Sequence, residues 1–70
     1  MNIELLVTMA NQIESFFRAE PERAVAIDGI ATHLKRFWEP RMRKAIVAHV
    51  AAGGAGLGEL AKAAVQRLGT

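Results

Sequence analysis

The side chains that could carry out chemistry are few and scattered in this 70-residue chain. His33 and His49 are the only histidines, and neither a Cys nor a His-Glu-x-x-His motif accompanies them. A metal site would therefore need carboxylates, which fall singly on other helix faces. Ser15 and the threonines have no base beside them that could activate a hydroxyl as a nucleophile. The sequence thus predicts no catalytic residue, no metal site and no cofactor-binding site in this chain.

Binding chemistry is concentrated in one stretch, LKRFWEPRMRK, which carries five of the nine basic residues and the only Trp. Its first two cations fall at the predicted end of a helix, where the helix dipole stabilises them. The other three fall in the first turns of the next helix, where the dipole opposes them, and this placement indicates an external acidic surface. We name the following residues the basic-aromatic corner and predict that they bind a partner: Lys35, Arg36, Phe37, Trp38, Arg41, Arg43 and Lys44.

The sequence leaves two interpretations of this corner open. Trp and Arg are enriched at the energetic centres of interfaces, so Trp38 is a candidate binding anchor. Trp38 is also the largest apolar side chain available to the core, and the two roles are compatible. The alternative for the cations is a solvated basic face partly offset by Glu39. If the corner binds an acidic groove, Arg41 and Arg43 are better candidates than Lys44, because Arg pairs bidentately with carboxylates.

Helices are the elements expected to position this corner. Apolar spacings of three and four residues, interrupted at Pro21, Pro40 and Gly53-Gly54, predict an all-α fold, a small helical bundle of three main helices plus a short C-terminal helix. A single helical domain, residues 1–70, is expected to contain helices at about 3–18, 21–38, 40–52 and 59–68. Because Pro is favoured at the first position of a helix, the two prolines are expected to begin the second and third helices.

Each helix has a predicted buried stripe. In the first two helices the stripes repeat the same steps, and each ends in an aromatic pair. The predicted inward residues of the first helix are Ile3, Leu6, Met9, Ala10, Ile13, Phe16 and Phe17, and those of the second are Ala24, Ile27, Ile30, Ala31, Leu34, Phe37 and Trp38. The third helix contributes Met42, Ile46, His49 and Val50, and the last contributes Leu57, Leu60, Ala61, Ala64, Val65 and Leu68.

Leu5 and Val7 flank the stripe of the first helix and widen its apolar arc to roughly 200°, beyond the usual width for a surface helix. We predict that these two residues form a second partner-binding surface. A chain of this size buries only about 60% of the surface that its unfolded state exposes, and no Cys supplies a disulfide. We therefore expect the isolated protein to be marginally stable or to self-associate, and to gain stability within a complex.

The glycine-rich segment GGAGLG, residues 53–58, only superficially resembles a phosphate-binding loop. Its glycines do not fit G-x-G-x-x-G, no predicted strand precedes it, and no Lys-Ser or Lys-Thr pair follows it. We interpret the segment as a flexible connector. The short helix after it is rich in Ala, and the sequence leaves open whether this helix is ordered without a partner.

Composition narrows the classes of function. The net charge of +2 is too mild to indicate a nucleic-acid-binding protein by itself. No apolar run approaches the roughly 20 residues that a membrane-spanning helix needs. Glu4 and Glu14 near the N-terminus argue against a targeting leader, and the absence of Cys is typical of a reducing compartment. We therefore expect a cytoplasmic protein that does not associate with a membrane.

Two stretches of the chain together resemble a known family. MNIELLVTMANQIESFFRAEP, followed by IATHLKRFWEPRMRKAIVAHVAAGGAGL, is similar to the small delta subunit of soluble, molybdenum-containing, NAD-dependent formate dehydrogenases. The resemblance covers nearly the whole chain. Its most specific part is the H-L-x-R-F-W-x-P-R-M-R block at residues 33–43, whereas the C-terminal helix carries little of it.

This resemblance implies a non-catalytic accessory subunit of a cytoplasmic complex that oxidises formate to carbon dioxide and reduces NAD. It also implies that the molybdenum-bis(guanine dinucleotide) centre, the iron-sulfur clusters and FMN belong to the larger subunits, and that this chain has no cofactor of its own. The expected partners are those larger subunits, above all the molybdenum-containing one, whose assembly, stability or cofactor maturation this chain would assist.

Two alternatives from other classes remain at the level of sequence. A free-standing helical interaction protein would cover its first helix with a second copy of itself. A nucleic-acid-binding module would use the basic-aromatic corner on phosphates, but no Lys- or Arg-rich recognition helix with base-reading polar residues accompanies that corner.

Overall fold

The computed structural model describes residues 2–69 and contains four helices joined by short segments. These helices are α1 (Ile3–Phe17), α2 (Arg23–Phe37), α3 (Pro40–Ala51) and α4 (Glu59–Leu68). Asn2 caps α1, because its Oδ1 accepts a hydrogen bond from the Glu4 N–H at 2.9 Å. In the range that the structure covers, no helix has the length and apolar character needed to cross a bilayer. The predicted all-α fold is confirmed.

The start of α2 differs from the prediction. Pro21 lies in the turn and Glu22 is the N-cap residue, so the helix begins at Arg23 rather than at the proline. The turn is tightened by the Glu22 N–H, which donates to the Glu20 carboxylate at 3.4 Å. Starting α2 here places Arg23 opposite the first residue of α4, and Arg23 Nε donates to Glu59 Oε1 at 2.8 Å.

All four helices contribute to one core. Its largest fully buried side chains are Ile30, Leu34, Ile46 and Val65. The other buried apolar residues are Leu6, Ala10, Ala26, Ile27, Ala31, Trp38, Ala61 and Ala64. Three of the twelve come from α4 and have no exposed surface at all. The small apolar face of α4 therefore packs inside this chain.

Three residues of the predicted buried stripes are exposed. Phe16 is 81% exposed, Phe37 is 69% exposed, and Ala24 also faces solvent. The apolar arc of α1 is too wide for one core to cover, so part of it stays exposed. Of the α1 aromatic pair, Phe17 points inward, and its ring packs against the backbone of α2 at Gly29. A Cβ at Gly29 would lie 2.4 Å from Phe17 Cε1, so only glycine permits this approach without a shift of the ring. The prediction that both rings of each aromatic pair are buried is wrong.

The glycine-rich segment, residues 53–58, has a defined conformation in which three glycines have positive φ angles. From α1, Asn11 Nδ2 donates to the Gly56 carbonyl and Asn11 Oδ1 accepts from the Gly58 N–H, each at 2.9 Å. From α3, His49 Nε2 donates to the Ala55 carbonyl at 2.7 Å. The interpretation of this segment as a flexible connector is wrong, because hydrogen bonds from two helices hold it in place.

A buried carboxylate holds the start of α4. Glu14 of α1 is only 4% exposed. Its Oε1 accepts from the Ala61 N–H at 2.8 Å, and its Oε2 accepts from Arg18 at 2.8 Å. Since the N-cap residue Gly58 has no side chain, Glu14 caps α4 from another helix.

The environment of Glu14 determines its ionisation. Burial alone raises the pKa of Glu14, but hydrogen bonds from the Ala61 and Leu60 backbone and the hydrogen bond and charge of Arg18 outweigh this effect. Together they hold the pKa below its ordinary value of 4.5. Glu14 therefore remains ionised inside the bundle at neutral pH.

Candidate partner-binding surface

The junction of α2 and α3 forms the basic-aromatic corner. The α2 helix ends at Phe37, the backbone of Trp38 is extended, and Pro40 begins α3 as predicted. Proline suits this position because its φ is already helical and it has no N–H to leave unbonded. The two helix ends do meet, since the Arg43 side chain donates to the Lys35 carbonyl at 3.3 Å.

Two of the predicted binding residues make contacts within the chain. Trp38 is 5% exposed and belongs to the core. Arg43 is half-buried, and its guanidinium donates to the carbonyls of Lys35 and Trp38. The end of a helix leaves such carbonyls without intrahelical partners, and the helix dipole also favours a cation there. This contact accounts for the position of Arg43 in α3 without any external acidic group.

The remaining cations of the corner are exposed, namely Lys35, Arg36, Arg41 and Lys44. None of the four makes an ion pair with another of the residues described, 2–69. Outside the corner, three arginines pair with carboxylates, namely Arg18 with Glu14, Arg23 with Glu59 and Arg67 with Asp28. From residue 35 to 44, five cations accompany one carboxylate, so this stretch has a formal charge of +4 while the whole chain has +2. The positive charge of the corner is thus concentrated and uncompensated.

The two predicted flanking residues of α1 have different environments. Leu5 is exposed. Val7 is half-buried and packs against the core. It also lies beside the glycine-rich segment, since a Cβ added at Gly56 would be 3.4 Å from Val7 Cγ1. Of this predicted pair, Leu5 is the more exposed residue.

Two open grooves adjoin the last turn of α2. The first, of about 690 Å³, runs between α3 and the end of α4, and its lining includes Lys35, Arg43, Lys44, Val47 and Leu68. The second, of about 560 Å³, lies between α1 and α2. Its lining includes Met9, Ile13, Phe16, Phe17, His33 and Trp38. We name this second groove the aromatic groove.

Sequence reasoning missed the aromatic groove, because it placed Phe16 in the core and gave His33 no role. The one signal that could have located it was the excessive width of the apolar arc on α1. A helix whose apolar arc exceeds what one core can cover must expose part of it. In this chain the exposed part includes Phe16 as well as Leu5.

Histidines and carboxylates are the side chains of this chain that could bind a metal ion. Between residues 2 and 69, no three His, Asp or Glu side chains come together as metal ligands would. The sequence has no Cys to bind an iron-sulfur cluster. His49 is hydrogen-bonded to Ala55, and the ring of His33 lies tilted against that of Phe37 with centroids 4.8 Å apart.

A comparison with known families identifies the relatives of this chain. Residues 5–65 of the 70 match the family NADH-dependent formate dehydrogenase delta subunit FdsD. The chain belongs to this family. The part matched to the FdsD family includes the whole basic-aromatic corner, the aromatic groove and the contact between Glu14 and Ala61. The resemblance to a delta subunit is confirmed. No curated protein and no solved structure matches the chain significantly.

Proposed function

We propose that this chain is a non-catalytic subunit of a cytoplasmic NAD-dependent formate dehydrogenase, which binds a larger subunit and supports its assembly, stability or cofactor maturation. The observation that carries the proposal is the match of residues 5–65 to the delta-subunit family. By its name, that family consists of subunits of a formate dehydrogenase, so its members act beside other chains of that enzyme.

The proposed contact is the exposed part of the basic-aromatic corner. Arg36 and Arg41 are exposed without a carboxylate partner in the described chain. The exposed ring of Phe37 follows Arg36 at the end of α2. Arg binds carboxylates through two parallel hydrogen bonds, and an aromatic side chain adds apolar area beside them. An acidic surface with an apolar centre on the larger subunit complements this corner. The molybdenum-containing subunit is the proposed partner.

A supporting rather than catalytic role is consistent with the polar groups of this chain. Glu14 is the buried ionisable residue of the described part, and both of its oxygens are already bonded, to Ala61 and to Arg18. The Thr8 hydroxyl donates to the Glu4 carbonyl at 3.0 Å, so its proton is held by the helix. On this proposal the molybdenum centre, iron-sulfur clusters and FMN lie in the larger subunits.

The proposal is tested by expressing the larger formate dehydrogenase subunits of the same organism with and without this chain. We expect the chain to co-purify with a tagged larger subunit, and we expect its deletion to lower the yield or the formate-oxidising activity of the complex. The chain purified alone should bind no molybdenum, iron or flavin. Full and stable activity without the chain, or failure of the chain to co-purify, would contradict the proposed role.

A further inference from the structure

The aromatic groove exposes rings that the fold leaves uncovered. Phe16 is 81% exposed on the α1 side, and Phe17 packs edge-on against it with ring centroids 5.2 Å apart. On the α2 side, His33 lines the groove, and its ring is 4.8 Å from that of Phe37. Phe37 is itself 69% exposed. Large rings left in water beside a groove are typical of an interaction surface.

Helical spacing extends this surface along α1. Leu5, Met9 and Phe16 are four and seven residues apart, so they lie on one face of the helix. Leu5 is exposed, and Met9 lines the groove. Among residues 2–69, three of the four exposed large apolar side chains therefore lie on or beside this surface, and Val25 is the fourth. An elongated apolar strip beside a groove suits an amphipathic helix that packs its apolar face into it.

The rim of the groove determines the charge of a suitable occupant. Arg36 is three residues from His33, so the two are neighbours on the surface of α2. Arg36 is exposed and pairs with no carboxylate in the described range. None of the residues that line the groove is acidic. A segment with carboxylates next to its apolar residues is attracted here, and a basic segment is repelled.

The same charges disfavour a second copy of this chain as the occupant. In a two-fold dimer a surface patch meets its own copy. In each copy the unpaired Arg36 lies next to His33 at the edge of the groove, in a chain of net charge +2. Pairing two such patches would bring like charges together, which opposes association.

We infer that the aromatic groove binds an amphipathic helix of a larger formate dehydrogenase subunit, with a large apolar side chain between Phe16 and His33 and carboxylates beside Arg36. The inference rests on the proposed function, because the occupant belongs to the same complex. Beyond the proposed function, it assigns the aromatic groove as a binding surface and gives the amphipathic, acidic character of the segment that binds there.

A pair of matched substitutions tests the groove. Phe16→Gln and Val25→Gln each replace an exposed apolar side chain of a helix by the same polar one, and Val25 does not line the groove. Each variant is expressed with a tagged larger subunit, and its helix content is checked by circular dichroism. We expect Phe16→Gln to weaken binding at least tenfold and Val25→Gln to leave it near that of the wild type.

The outcomes separate this inference from the proposed function. If Phe16→Gln co-purifies as well as the wild type, the groove is not the contact, while the proposed function stands. If the wild-type chain fails to co-purify, the groove inference and the proposed function are both contradicted.

A photoreactive side chain identifies the occupant directly. Benzoyl-phenylalanine is incorporated in place of Phe16, and the complex is irradiated and digested. We expect cross-links to a segment of a larger subunit in which apolar residues recur every three or four positions with Asp or Glu beside them. Cross-links to a second copy of this chain, or to a basic segment, would overturn the inference.

Discussion

The Glu14 carboxylate on α1 accepts a hydrogen bond from the backbone N–H of Ala61 in the first turn of α4, at 2.8 Å. This contact joins two helices through residues that are 47 positions apart in the sequence. It also explains why α4 can begin after a glycine without a side-chain cap of its own.

Glu14→Ala should destabilise the isolated chain, because the first turn of α4 loses its acceptor and Arg18 loses its partner. We expect a loss of about 1 to 3 kcal/mol in the free energy of unfolding, the range for a helix cap or a buried hydrogen bond. Thermal unfolding followed by circular dichroism measures this. The control is Glu4→Ala, an exposed glutamate of the same helix, which should cost less than about 1 kcal/mol. Equal melting temperatures for the two variants would contradict the capping role.

The stability that Glu14 provides should depend on pH in the acid range. Its pKa in the folded chain is lowered, so the contribution is complete above the ordinary pKa of 4.5 and is lost as the pH falls below that value through the folded pKa. Glu14→Gln removes this titration. The difference in unfolding free energy between wild type and Glu14→Gln should therefore shrink as the pH falls below 4.5. A difference that stays constant through this range would refute the assignment.

Gly58 should be coupled to Glu14. The backbone angles of Gly58 suit alanine, and such a Gly→Ala change ordinarily stabilises a protein. A Cβ at this position, however, would lie 2.1 Å from Glu14 Oε2, so the carboxylate would be displaced. We expect Gly58→Ala to destabilise the wild type but not the Glu14→Ala variant, with a coupling energy of about 1 kcal/mol or more in a double-mutant cycle. Additive effects would show that the two residues act independently.

Substitutions of Arg43 and Arg41 should have different effects on stability, although both residues lie near the start of α3. Arg43→Gln removes the guanidinium that donates to the carbonyls of Lys35 and Trp38, and we expect a loss of about 1 to 3 kcal/mol in unfolding free energy. Arg41 is exposed without an ion pair to any described residue, so Arg41→Gln should change stability by less than about 0.5 kcal/mol. Urea unfolding of both variants measures the difference. If the two substitutions cost the same, the structural role of Arg43 is wrong.

The sequence predicts the helices well because their apolar spacing and their breaks are local signals. The proline at the start of α3 and the glycines after it act through backbone geometry, which local sequence determines. The buried stripe of α4 is also visible in its spacing, but its ordering depends on the fit of three small residues against α2 and α3, which no single helix reveals.

The candidate site was less predictable, because residues that look equivalent in the sequence contact different neighbours in the folded chain. Arg41 and Arg43 look alike in sequence, yet only Arg43 reaches the end of α2. Phe16 and Phe17 form one aromatic pair, yet Gly29 accommodates only Phe17. Glu14 looks like a surface acid until the glycine-rich segment brings the start of α4 against it. Each outcome depends on a tertiary contact, which sequence periodicity does not encode.

The most direct test of the proposed function is the affinity of the larger formate dehydrogenase subunit for two matched double variants of this chain. Arg36→Gln with Arg41→Gln removes two exposed cations of the basic-aromatic corner. Arg23→Gln with Arg67→Gln removes two cations from exposed ion pairs outside it, which contribute little to stability. In a titration at moderate salt, we expect the corner variant to bind the larger subunit at least about tenfold more weakly than the wild type does. The control variant should bind with an affinity near that of the wild type. Unchanged affinity of the corner variant, or an equal loss in both, would contradict the proposed function.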